Sequence, residues 1–314
     1  MLTLAGCGSS SSSSGGSSSD GENKVVLTPI PEDELLPVVI SSDLAVGGNR
    51  FVLGLIDQKN NTEVVGAALH LRFFPAGADP ASAKIEADPA ALKVTKSFTH
   101  THPDGTVESH PAGETGAYVA DVQFDAAGTW QVEVTGTANG QALPPIRPTF
   151  SVLQKSQSLS VGDAAPRSVQ TILKDVPDIT QIDTSVPTIP EEHNMTIADA
   201  VTSGKPSVVV FATPAFCQSR ICGPTKSIVD DLYHAYSGLA NFVHVEPYDV
   251  PRMREGKCPS LYDCRVPVVD EWRLQTEPWV FMVDAAGKVA AKFEGIVSYA
   301  ELESALKPLL SPAG

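Results

Sequence analysis

Cysteine is scarce in this chain, five residues in 314. That excludes a fold stapled mainly by disulfides, and it makes the position of each cysteine informative. Long apolar runs are missing too. No stretch reaches the ~18 residues that a membrane-crossing helix needs. Basic residues are outnumbered, 22 Lys and Arg against 37 Asp and Glu, for a formal net charge of −15. Nucleic acid calls for clustered Lys and Arg, so it is excluded as a partner. Otherwise this charge bears on solubility rather than fold. With 42% apolar and 19% charged residues, most of the chain can bury a core. At ~100–200 residues per domain, the length points to two domains.

The first 35 residues carry no periodic pattern. Leu4-Ala5-Gly6-Cys7 resembles the lipobox at which bacterial lipoproteins are cleaved and lipidated on the cysteine. The Ser/Gly run behind it reads as a flexible tether. A complete signal peptide has a basic start and ~7–15 apolar residues ahead of such a box. Only residues 2–5 lie between Met1 and Gly6-Cys7 here, and none is basic, so the remainder is expected upstream or the match is fortuitous. The resemblance implies an extracytoplasmic, cell-envelope protein anchored to the membrane by lipid on Cys7.

Residues 36–153 hold no cysteine and read with period two. Phe51, Leu53 and Leu55 alternate with Val52 and Gly54. Leu69, Leu71 and Phe73 share one face, and Tyr118, Ala120, Val122 and Phe124 another. Trp130, Val132 and Val134 repeat the pattern. Such alternation predicts strands buried on one side, here about seven, forming an all-β sandwich of immunoglobulin-like architecture.

Beyond residue 154 the signals change. Thr196 with Asp199 forms a capping box that Gly204 and Pro206 close. Residues 207–213 (SVVVFAT) predict a buried strand, 227–236 a helix, and 241–245 (NFVHV) a further strand. Residues 279–284 and 288–293 flank Ala-Ala-Gly as a hairpin, and Ser298 with Glu301 opens a last helix. A strand-helix-strand unit followed by a hairpin and a helix predicts an α/β sheet covered on both faces.

Within this half, FATPAFCQSRICGPTK (residues 211–226) carries Cys217 and Cys222 where a strand hands over to a helix. A thiol there sees unpaired N–H groups and the positive end of the helix dipole, which favour its thiolate. Arg220 adds a nearby cation. A second thiol in reach resolves mixed disulfides. The Cys-x4-Cys spacing is awkward. On a regular helix, the two side chains stand ~140° and ~7.5 Å apart, too far for a disulfide. Two geometries answer this: a helix from Cys217 that unwinds its first turn, or a bent 217–222 loop with Pro224 at the helix start.

Phe216-Cys217 after a buried strand, with Glu277-Pro278 opening the next one, is similar to the thioredoxin-like fold. The resemblance covers residues 160–312, so the chain divides as tether 1–35, sandwich 36–153 and thioredoxin-like domain 154–314. It implies a thiol–disulfide oxidoreductase working on protein or small-molecule thiols through Cys217 and Cys222, with no cofactor. It also implies a cis Pro278 that, with Glu277, presents backbone to an extended substrate. Either cysteine can be the nucleophile, since Ile221-Cys222-Gly223-Pro224 also resembles the family motif, and Cys217 is preferred for its distance from the strand. The buried acid usual before the first cysteine is missing from residues 206–216, which leaves Glu277 as the nearest base.

Other chemistries stay open. A stapled scaffold without turnover is one alternative, and a peroxiredoxin-like peroxidase is another, although position 214 is Pro where that family has Thr or Ser. Cys258 and Cys264 are expected to close a local disulfide, with a second redox pair as the rival reading. A four-thiolate zinc site is disfavoured by their spacings. His100 and His102 share a strand face with His110 across a turn, and could hold copper or zinc or be solvated loop histidines. His193, His234 and His244 read as surface or packing residues.

Overall fold

The computed structural model describes residues 35–60, 62–93, 97–102, 104–111, 116–217 and 221–310. Cys7, the tether up to residue 34 and Arg220 lie outside them, and Leu35, read as the end of the tether, opens the first strand. The described residues all belong to one compact unit. In its first half the strands are β1 (Leu35–Val39), β2 (Gly47–Asp57), β3 (Thr62–Glu63), β4 (Ala68–Pro75), β5 (Ile85–Ala87) and β6 (Ala90–Lys93). They continue as β7 (Phe98–Thr101), β8 (Val107–His110), β9 (Gly116–Phe124), β10 (Gly128–Ala138), β11 (Gln141–Ile146) and β12 (Thr149–Val152). One sheet runs β1-β2-β9-β6 with β3 on β2, and a second runs β11-β10-β4-β5 with β12 on β10. The alternating apolar residues of both sheets meet in one core, including Phe51, Leu53, Leu71, Phe73, Tyr118, Phe124, Val132 and Phe150. Phe51 and Phe73 meet edge to face at 4.9 Å. Each such fully buried side chain contributes about 1.5–3 kcal/mol.

There are more strands than the expected seven because the short edge strands carry too little apolar pattern to be read. The opposite face of β2 is also not solvated. Val52 is fully buried and packs with Ala117, Ile221 and Ile296, so the second half covers this sheet.

The second half comprises β13 (Ser185–Val186), α1 (Ile197–Thr202), β14 (Ser207–Phe211), α2 (Cys222–Tyr236), β15 (Asn241–Val245) and α3 (Val250–Arg254). It ends with α4 (Pro267–Glu271), β16 (Trp279–Val283), β17 (Val289–Glu294) and α5 (Tyr299–Leu306). The sheet order is β15-β14-β16-β17. β14 runs parallel to β15 and antiparallel to β16. Val209, Phe211, Val243 and Phe281 face α1 and α4 with Trp272. Val208, Val210, Phe242, Val280 and Met282 face α2 and α5. Both faces are covered, which is why SVVVF is apolar without alternation. The predicted capping boxes at Thr196 and Ser298 are both formed. The helix expected from residue 227 starts earlier, at Cys222, because Gly223 and Pro224 need no intrahelical partner in a first turn.

The halves are joined by polar contacts, most of them half-buried. Arg50 donates to Glu301 Oε1 at 2.8 Å and to the Ile296 carbonyl at 2.7 Å. Asp43 accepts from Gln157 N at 2.6 Å, Ser158 Oγ at 2.6 Å and Lys292 Nζ at 3.2 Å. A third sheet, β13-β7-β8, carries a hairpin of the first half over to the second. Its Phe98 ring lies against Gly223, where a Cβ would stand 2.4 Å from Phe98 Cδ2.

Candidate functional site

Cys217 ends the segment after β14, and Cys222 is the first residue of α2, with Ile221 as its N-cap. Cys217 therefore lies before the helix, and Pro224 sits in its first turn, two places after the helix start. Both cysteines are thiols. The Cys222 backbone N–H donates to Cys217 Sγ at 3.3 Å. This N–H is one of the orphan donors of a helix end, and it favours negative charge on the sulfur it meets. Cys217 is half-buried, whereas Cys222 is fully buried. Burial first, then a hydrogen bond with the Cys217 sulfur, pushes the Cys222 thiol well above its ordinary value.

Glu277, singled out from the sequence, and Tyr248, which sequence pattern did not identify, complete the surroundings. Tyr248, which is buried, donates from its hydroxyl to Glu277 Oε2 at 2.9 Å. Burial raises the Glu277 carboxyl, against the opposing pull of that hydrogen bond and of Arg265. The charge of Glu277 acts on Cys222, and that of Cys222 on Tyr248, so the three form one electrostatic unit. Tyr248 also packs against Phe216, the residue before Cys217. A lone tyrosine after a strand carries no motif, and only the fold brings it here. Glu277 precedes Pro278, which opens β16, and the bond between them is cis.

Beside Glu277 is a cleft of about 350 Å³ lined by Tyr248, Leu261, Tyr262, Arg265 and Thr276. Leu261 and Tyr262 belong to the loop closed by the Cys258–Cys264 disulfide, whose Cα atoms are 5.7 Å apart. That loop thus forms one wall of the cleft. Cys258 and Cys264 are bonded to each other and do not join Cys217 and Cys222.

A buried acid does stand near the pair, though not on β14. Glu246, just past β15, accepts from Thr184 N at 2.8 Å and Thr184 Oγ1 at 2.6 Å. Thr184 Oγ1 in turn accepts from Ala215 N at 3.1 Å, two residues before Cys217. Burial pushes the Glu246 carboxyl up to about 8, which favours its neutral form.

The histidines divide differently from the sequence reading. His100, His102 and Glu108 group on the β7–β8 hairpin, while His110 pairs with Phe98 at the other end of the ladder. The His110 side chain lies outside the described residues. His193 and His244 are both buried and converge on Asp183. Both are packed inside rather than on the surface, with their rings 5.1 Å apart, and they also share a carboxylate. They come from segments about fifty residues apart, a spacing that no sequence motif marks.

No known family model matches this chain, and no curated protein matches it.

Proposed function

We propose that this chain is a thiol–disulfide oxidoreductase of thioredoxin-like class, held in the cell envelope by lipid on Cys7. Its first half, an immunoglobulin-like sandwich, supports the helix end that carries the thiols. The observation that carries this reading is the pairing of a half-exposed sulfur with a buried one, the helix-end N–H of Cys222 being aimed at Cys217 Sγ. The β14-α2-β15 crossover followed by the β16–β17 hairpin and α5 supports the class.

In this reading Cys217 is the nucleophile. Its thiolate attacks one sulfur of a substrate disulfide, the substrate S–S bond breaks, and the departing thiolate takes a proton. Cys222 gives its proton to Glu277 or to solvent and attacks Cys217 Sγ. The mixed disulfide breaks, a second substrate thiolate leaves and is protonated, and a Cys217–Cys222 disulfide forms. The substrate gains two electrons and the pair loses two. The cleft beside Glu277 is where an extended thiol substrate would lie.

Trapping tests the reading. Cys222→Ser removes the resolving thiol, so a covalent adduct with a model disulfide peptide should accumulate on Cys217. Absence of that adduct, with Cys217 still alkylatable, would remove the enzymatic reading and leave a scaffold.

A further inference from the structure

We propose that Asp183, His193 and His244 form a binding site for a divalent first-row transition-metal ion, separate from the thiols. Their ligand atoms lie within 4.8 Å of one another, and all three side chains are buried. Asp183 Oδ2 is 3.1 Å from His193 Nε2, and Asp183 Oδ1 is 3.6 Å from His244 Nδ1. Ligands ~2.0–2.1 Å from a tetrahedral zinc ion stand about 3.3 Å apart, so each imidazole nitrogen already lies near that distance from one oxygen of the Asp183 carboxylate, His193 from Oδ2 and His244 from Oδ1.

The supporting groups match what a metal ligand needs. His244 Nε2 lies 3.0 Å from the Ala212 carbonyl, which can only accept, so that nitrogen carries the proton. Its other nitrogen, Nδ1, then turns a lone pair toward the Asp183 carboxylate, 3.6 Å away, and has no hydrogen-bond partner among the described residues. Two buried acceptors facing each other are unfavourable unless a cation lies between them. Donation of the second ring N–H to a backbone carbonyl is the usual way a ligating imidazole is oriented. Asp183 Oδ1 is itself fixed by Ser185 N at 2.8 Å and Ser185 Oγ at 2.6 Å.

Charge points the same way. The buried Lys226 ammonium is 2.7 Å from Glu192 Oε2, pairs with Asp230, and feels Asp183. Two carboxylates thus pair with one ammonium and the Asp183 carboxylate lies within its field, an excess of negative charge that a divalent ion would offset. Two imidazoles and a carboxylate suit zinc, iron or copper rather than calcium or magnesium. A cavity of about 370 Å³, lined by His193, His244 and Glu246, leaves room for a further ligand. The site also touches the redox pair through one peptide unit. The Ala212 carbonyl faces His244, while the Thr213 N–H of the same unit faces Cys222.

Zinc is the probe. The full chain carrying Cys7→Ser, Cys217→Ser and Cys222→Ser has no thiol left to bind it, since Cys258 and Cys264 are bridged. Equilibrium dialysis should load one Zn²⁺ per chain. In that background His193→Gln and His244→Gln should each weaken binding at least 100-fold with an unchanged circular dichroism spectrum, while His102→Gln should not. Imidazole NMR of the unsubstituted site gives a readout that does not depend on variants folding. Two of the seven histidines should shift together as one equivalent of zinc is added. Failure to bind zinc, binding lost with His102→Gln instead, or resonance shifts confined to other histidines would overturn the site.

Discussion

The backbone N–H of Cys222 points at the sulfur of Cys217, 3.3 Å away, so the first residue of α2 serves both as the second thiol and as a donor to the first. The two sulfurs are therefore expected to differ sharply in reactivity. Cys222 is raised well above its ordinary value by burial and by Cys217. A raised thiol stays protonated and unreactive until the pH climbs. Iodoacetamide at neutral pH should modify Cys217 at least ten times faster than Cys222, and Cys222 should catch up only in strong alkali. Peptide mapping after timed alkylation reads this directly.

Glu277 and Tyr248 should set the pH dependence of turnover. Burial raises the Glu277 carboxyl, and the Tyr248 hydrogen bond opposes the rise. The rate should fall as Glu277 is protonated, at a pH above the ordinary glutamate range. Tyr248→Phe removes the opposing hydrogen bond, so the acid limb should move to still higher pH. Glu277→Gln should slow resolution of the mixed disulfide by about 100-fold, the lower end of what a positioned base supplies. Stopped-flow reduction of a disulfide peptide across pH measures both.

The contact between Phe98 and Gly223 predicts coupling between the halves. A Cβ on Gly223 would stand 2.4 Å from Phe98 Cδ2. Gly223→Ala should therefore cost about 1–3 kcal/mol through overpacking. Phe98→Ala alone should cost about 3–5 kcal/mol through lost burial. Together they should cost less than the sum, because removing the ring removes the clash. Urea unfolding of the four proteins completes the cycle.

Asp43 makes the junction acid-sensitive. Burial works against its charge, yet hydrogen bonds from Ser156 and Ser158 and the Lys292 ammonium hold it at about 2, below its ordinary 3.8. A depressed carboxylate contributes stability above its unfolded value and loses it as the pH falls through the folded one. That contribution should be intact above pH 4 or so and disappear as the pH falls toward about 2. Asp43→Asn should flatten this part of a plot of stability against pH, measured by thermal unfolding.

Much of the second half was legible from local pattern. Thr196 with Asp199 and Ser298 with Glu301 are chemical signals that act within four residues, and both form the caps they suggest. SVVVF was readable because a strand buried on both faces has no polar side to hide it. The sequence places the helix start too late because Cys222, Gly223 and Pro224 have no helical periodicity. Alternation places Val52 on the outward face, because it cannot register that another part of the chain covers that face. The gathering of Tyr248 with Glu277, and of Asp183 with His193 and His244, was hidden for a different reason. These partners come from separate strands and loops, and only sheet order brings them together.

The most direct test of the central claim is the reduction potential of the Cys217–Cys222 pair, measured by equilibrating the protein in glutathione buffers and mapping alkylated thiols by mass spectrometry. A working redox pair should form and lose one disulfide reversibly, at a potential between about −270 and −120 mV, while Cys258 and Cys264 stay bridged. A bond more reducing than about −300 mV, or no bond at all between residues 217 and 222 at any buffer ratio, would contradict it.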